Sequence, residues 1–176
     1  MDRTERQKLC IKRWLEAGGS SSWLLPTGFG KTRTALTLSE LLIKKNPDAK
    51  ILIVVPTEII KNQWIEGLIK HNIFNNCKVE IINTVIKKEW DCNLLILDEL
   101  HVYGALSFSQ VFDAVNYDMI LGLTATIERL DGKEKLLLEK FLRELPTETS
   151  FLIVLVWEVV LALVLILSSL IIIHSY

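Results

Sequence analysis

The residues best suited to chemistry lie in two short clusters. The first is Pro26-Thr27-Gly28-Phe29-Gly30-Lys31-Thr32. Two glycines let the main chain turn tightly and approach a ligand closely. A helix beginning at Lys31 would aim unpaired N–H groups and a partial positive charge at an anion. Lys31 would then reach the outer phosphates of a nucleoside triphosphate, and the Thr32 hydroxyl would serve Mg²⁺. The second cluster is Asp98-Glu99-Leu100-His101, which follows the apolar run Leu94–Leu97. An aspartate leaving a buried strand supplies an oxygen ligand for Mg²⁺, and Glu99 beside it is placed to orient or deprotonate an attacking water. Two acids at such a point also suit a solvated loop entry, and the cradle upstream weighs against that. The first cluster departs from the general phosphate-loop pattern G-x-x-x-x-G-K-[ST], because Leu25 stands at its first position.

These side chains need a scaffold that brings distant segments together. Ser22–Leu25, with its apolar run Trp23-Leu24-Leu25, and Ile51–Val55 read as strands, as do Val79–Ile82, Leu94–Leu97 and Met119–Leu123. Helical patterns occupy Arg3–Leu15, Arg33–Lys45, the segment after Pro56-Thr57, and Lys133–Leu145. Strands alternating with helices, with polar residues at strand carboxyl ends, predict an α/β fold with a doubly wound parallel sheet.

Composition narrows the function. Net charge is −1, so no overall basic character marks a nucleic-acid binder, and any such surface must be local. Cys10, Cys77 and Cys92 show neither a disulfide framework nor metal-ligand spacing and fit a reducing, cytoplasmic setting. The opening segment lacks the apolar stretch of a signal peptide.

Taken together, Gln7, Pro26–Thr32, Val55-Pro56-Thr57 with Gln63-Trp64, Asp98–His101 and Leu123–Thr126 resemble the first RecA-like lobe of a DExH-type superfamily-2 helicase. Ile127–Gly132 resembles the branch holding XPB-like DNA helicases and their phage relatives. The resemblance implies ATP and Mg²⁺ as ligands, with Lys31, Asp98 and Glu99 carrying catalysis. It implies Thr32 and Asp98 as metal ligands, and a nucleotide held by Pro26, Thr27, Gly28, Phe29, Gly30, Lys31 and Thr32. Gln7 would read the adenine edge, although it also suits a helix surface. Pro56, Thr57 and Thr84 would meet nucleic-acid phosphates, DNA ahead of RNA. A plain strand-to-helix turn with a threonine cap also accounts for Pro56-Thr57. His101, Thr124, Ala125 and Thr126 would couple the nucleotide to a second lobe, although His101 also suits a satisfied polar position.

The resemblance spans about residues 3–141, and nothing after residue 145 resembles the second lobe that such an enzyme needs. Residues 1–145 are read as the ATP-binding lobe, 146–150 as a linker and 151–173 as an apolar segment. That segment carries one charge, Glu158, and 18 Leu, Ile, Val or Phe residues. It passes the length of about 20 residues that a membrane helix needs, and Lys135, Lys140 and Arg143 before it would keep the lobe cytoplasmic. Two origins stay open for it: a native anchor, or a tail from a frameshifted or truncated gene. The first expectation for function is a nucleic-acid-dependent ATPase lobe, weak or inactive without its second lobe, which another chain could supply in trans. The alternative is a membrane-anchored nucleotide-binding module acting through a partner.

Overall fold

The computed structural model describes residues 2–100 and 105–125. Helix α1 (Arg3–Glu16) opens with Asp2, which accepts the Glu5 N–H while the Glu5 side chain accepts the Asp2 N–H. This reciprocal capping satisfies two otherwise unpaired donors. Then follow β1 (Ser20–Leu24), α2 (Lys31–Lys45), β2 (Ile51–Val55) and α3 (Glu58–Lys70). A 3₁₀ turn at Phe74–Asn76 leads into β3 (Cys77–Ile81) and α4 (Ile82–Val85), then β4 (Trp90–Leu97), α5 (Ala105–Ala114) and β5 (Val115–Thr124).

The five strands form one sheet in the order β1-β5-β4-β2-β3, and every pairing is parallel. Such a sheet must be covered on both faces, and the burial pattern shows how. Ile51, Ile53 and Val55 join Trp14, Leu36, Trp64 and Leu68 in a core beneath α1, α2 and α3. Leu52 and Val54, pointing the other way, join Val85, Leu95, Leu97 and Val111 beneath α4 and α5. Complete burial of β2 accounts for its unbroken β-branched and leucine sequence.

The expected parallel α/β architecture is present, with shifted bounds. Helix α2 begins at Lys31 rather than Arg33, β1 ends at Leu24, and β3 runs from Cys77 to Ile81. Ile82 belongs to the short α4 instead of ending a strand. Helix α5 and the early portions of β4 and β5 were not expected. Trp90–Asn93 and Val115–Asp118 mix polar with apolar residues because they sit where the sheet is less covered, so no apolar run announces them. His101, Thr126, the helix expected at 133–145 and the segment 151–173 lie outside the described residues. Among the described residues, no helix is long and apolar enough to cross a membrane.

Candidate active site

Parallel pairing places the carboxyl ends of the strands in one row. Leu24 pairs with Thr124, Leu97 with Gly122 and Val54, and Val55 with Ile81. The segments that follow these ends therefore collect along one edge of the sheet. They include Leu25–Lys31, Pro56-Thr57, Asp98-Glu99 and Thr124-Ala125. Ligands in open α/β sheets bind at this edge.

The cradle is built on two left-handed glycines. The Phe29 N–H donates to the Pro26 carbonyl at 3.1 Å, closing a turn whose third residue, Gly28, has φ of 81°. A positive φ at that position is the demand of a type II turn, which glycine meets without strain. Gly30, at φ of 91°, then caps α2. Helices α1 and α3 carry side-chain caps from Asp2 and Thr57, whereas α2 has none and no acid in its first turn. Its leading N–H groups therefore receive no side-chain acceptor from the cap, an arrangement that suits an anion. The Leu25 N–H donates to the Thr124 carbonyl at 3.1 Å, tying the start of the cradle to the end of β5.

Gln7 stands at this loop. Its Nε2 donates to the Phe29 carbonyl at 3.1 Å, and Arg3 Nε donates to the same oxygen at 3.0 Å. The sequence pattern alone does not single out Arg3. It precedes Gln7 by one helical turn, a spacing that puts both on one face of α1 and could have drawn attention to it.

The acidic pair faces the cradle. Lys31 Nζ lies 3.9 Å from Glu99 Oε1 and 3.5 Å from the Leu25 carbonyl. Its side chain is 10% exposed, so the ammonium sits in a sheltered position where charge interactions are screened little. Glu99 has φ of 52°, a left-handed conformation disfavoured for a side chain of this size. Asp98 is buried, and its main chain is fixed by an N–H bond to the Val54 carbonyl at 2.9 Å. Its Oδ2 accepts the Trp64 indole N–H at 2.7 Å, and its Oδ1 accepts the Glu99 N–H at 3.0 Å. Burial raises the Asp98 carboxyl above the ordinary aspartate range. The Trp64 bond opposes that rise, the Glu99 charge adds to it, and the Glu99 N–H and Lys31 oppose it. Thr32 and Asp98 together offer hard oxygen donors of the kind Mg²⁺ takes.

Thr57 accepts the Ile60 N–H at 3.3 Å as the cap of α3, and Pro56 precedes it at the end of β2. Thr84 sits within α4, just beyond the row of strand ends. Lys31, Asp98, Glu99 and Gln7 thus gather at the loop Pro26–Thr32, while Pro56 and Thr57 lie along the same edge.

Residues 1–93 and 74–129 match the family described as the type III restriction enzyme, res subunit. The provisionally named ATP-dependent RNA helicase QP509L of African swine fever virus is 32% identical over 152 residues, covering 72% of this chain. The chain spans 29% of that viral protein's length. The DNA 3'-5' translocase XPB2 of Sulfurisphaera tokodaii is 30% identical over 146 residues, covering 74% of this chain and 32% of the translocase. Among solved structures, the UvsW helicase from bacteriophage T4 superposes with a TM-score of 0.60 at 21% identity. That alignment covers 72% of this chain and 52% of the phage protein, and it speaks to the fold alone.

Proposed function

We propose, for a chain that belongs to the type III restriction enzyme res-subunit family, that the described lobe binds ATP and serves a nucleic-acid-dependent ATPase of the helicase kind. The observation that carries this is the approach of Lys31 to Glu99, which joins a helix start without a side-chain cap to an acidic pair at one sheet edge. In this reading the ATP phosphates rest on the leading N–H groups of α2 and on Lys31, and Gln7 meets the adenine. Thr32 and Asp98 would hold Mg²⁺, which would supply neutralisation of the negative charge that develops in phosphoryl transfer. Glu99 accepts the proton of the water that adds to the terminal phosphorus, and ADP leaves. Pro56, Thr57 and Thr84 meet the nucleic-acid backbone, a contact that fixes position without reading sequence. DNA is the first candidate, and RNA is the competing one. His101 and Thr124–Thr126 couple the nucleotide state to a facing lobe.

A single lobe offers one wall of the cleft. In related phosphoryl-transfer systems an arginine supplied across the cleft is worth about 10³–10⁵ in rate. The 176-residue chain should therefore bind nucleotide yet turn it over slowly unless a second lobe is supplied in trans. Equilibrium dialysis with ATP tests the core of this reading. Lys31→Ala should weaken binding by at least about tenfold, the scale of a lost charge-assisted bond. A variant that binds as tightly as the native chain would overturn the assignment. Single-stranded DNA and RNA, added in parallel to an ATPase assay, decide between the two polymers.

The apolar segment 151–173 supports a second reading, a membrane-anchored form of the same module. There the chain should stay in the membrane pellet after a carbonate wash. Release into the supernatant would leave the anchor without support.

A further inference from the structure

We infer that Trp64 is a positioning residue for Asp98, one that ties the aim of this carboxylate to helix α3. The inference rests on the reading above, in which Asp98 holds the metal of the bound nucleotide.

Trp64 and Asp98 are almost wholly inaccessible, at 1% and 4% exposure. A carboxylate buried this deeply cannot find its orientation by rotating among waters; protein donors must set it. The main chain of Asp98 is pinned through Val54, and Oδ1 takes a bond from the adjacent Glu99 N–H. Among the described residues, only the indole N–H of Trp64, at 2.7 Å from Oδ2, reaches the carboxylate from another element. With one donor on each oxygen, lone pairs remain for a cation.

Buried tryptophans generally find a partner for the indole N–H, so the choice of partner is informative. Trp14 donates to the Ile120 carbonyl and Trp90 to the Val85 carbonyl, both neutral main-chain acceptors. Trp64 alone among these three donates to an ionisable side chain, and that side chain belongs to the candidate site. A core filler would be equally well served by a carbonyl.

The consequence is directional. Trp64 lies seven residues after Thr57, about 10 Å along α3, and Thr57 is the proposed phosphate contact. A shift of α3 on engaging nucleic acid would carry the indole N–H with it and re-aim Oδ2. One helix and one hydrogen bond then join the nucleic-acid edge to the metal ligand.

The test uses the 176-residue chain, with ADP affinity measured by equilibrium dialysis in EDTA and in Mg²⁺. Trp64→Phe keeps a ring in the core and removes the donor. It should leave the affinity in EDTA unchanged and cut the strengthening by Mg²⁺ about tenfold, the scale of a hydrogen bond to a charged group. Leu68→Ala, one turn further along α3 and fully buried, should lower stability while keeping the native Mg²⁺ ratio. An unchanged ratio in Trp64→Phe, or equal losses in both variants, would overturn the role. A readout on the native chain guards against a poorly folded variant. The Trp64 indole N–H resonance should move when Mg²⁺ is added to the ADP-bound chain, and a resonance indifferent to Mg²⁺ would refute the inference. Failure of the native chain to bind ADP at all would instead sink the functional reading, and this role with it.

Discussion

The two cradle glycines are not equivalent, and their surroundings predict different costs. A Cβ at Gly28 would meet nothing within 4 Å, whereas one at Gly30 would lie 2.8 Å from Arg3 Nη2 and 2.9 Å from Gln7 Nε2. Both positions have positive φ, so alanine at either is strained by about 1–2 kcal/mol. Gly28→Ala should show that strain alone in urea unfolding. Gly30→Ala should add a displacement of Gln7 from the Phe29 carbonyl, visible as a reduced preference for ATP over GTP. Equal effects at the two positions would contradict the geometry. At this scale Lys31, Asp98 and Glu99 were legible because each follows an apolar run or a glycine turn. Arg3 and the partner of Trp64 were not: the first is one charge among several on α1, and the second depends on a bond between residues 34 apart in sequence.

Among the elements, α3 carries the most consequence. Its cap, Thr57, accepts the Ile60 N–H, so Thr57→Ala should destabilise the fold by about 1 kcal/mol. If Thr57 also meets a phosphate, the same change should weaken nucleic-acid binding beyond that loss. Thr57→Ser, which keeps the hydroxyl, should restore both, as thermal unfolding and a DNA-binding titration would report. The strands β2 and β4 announced themselves through burial on both faces. Helix α5 did not, because it is short and its sequence Ala-Leu-Ser-Phe-Ser-Gln-Val-Phe-Asp-Ala sets two serines among the apolar residues. The short α4 was hidden for another reason: Ile82 and Val85 are buried apolar residues that prolong the run of β3.

For the molecule as a whole, the parallel sheet and the resemblance to a superfamily-2 helicase lobe are borne out, while the individual site roles rest on proposal. Global stability offers a check on the core that is independent of function. Burial pushes the Cys77 and Cys92 thiols up to about 12. A thiol raised in the folded state keeps its proton there while the unfolded chain loses its own near pH 8.5. Stability is therefore full below that pH and declines as pH rises from there toward 12. Replacing both cysteines by alanine should flatten the decline measured by urea unfolding between pH 7 and 10.

The place of β1 in the sheet has a consequence in time. Its described partner is β5, paired from Ser20↔Ile120 to Leu24↔Thr124, a separation of 100 residues. The Trp14 indole likewise waits for the Ile120 carbonyl. Contacts this distant close late, after the loop entropy between them has been overcome. During synthesis, which runs from the N-terminus, β2, β3 and β4 can pair before β5 leaves the ribosome. The strand leading into the proposed phosphate cradle is then among the last to dock. If the proposed nucleotide site is real, a nascent chain would gain it only once residue 124 has emerged, so ligand capture would mark the completion of this sheet.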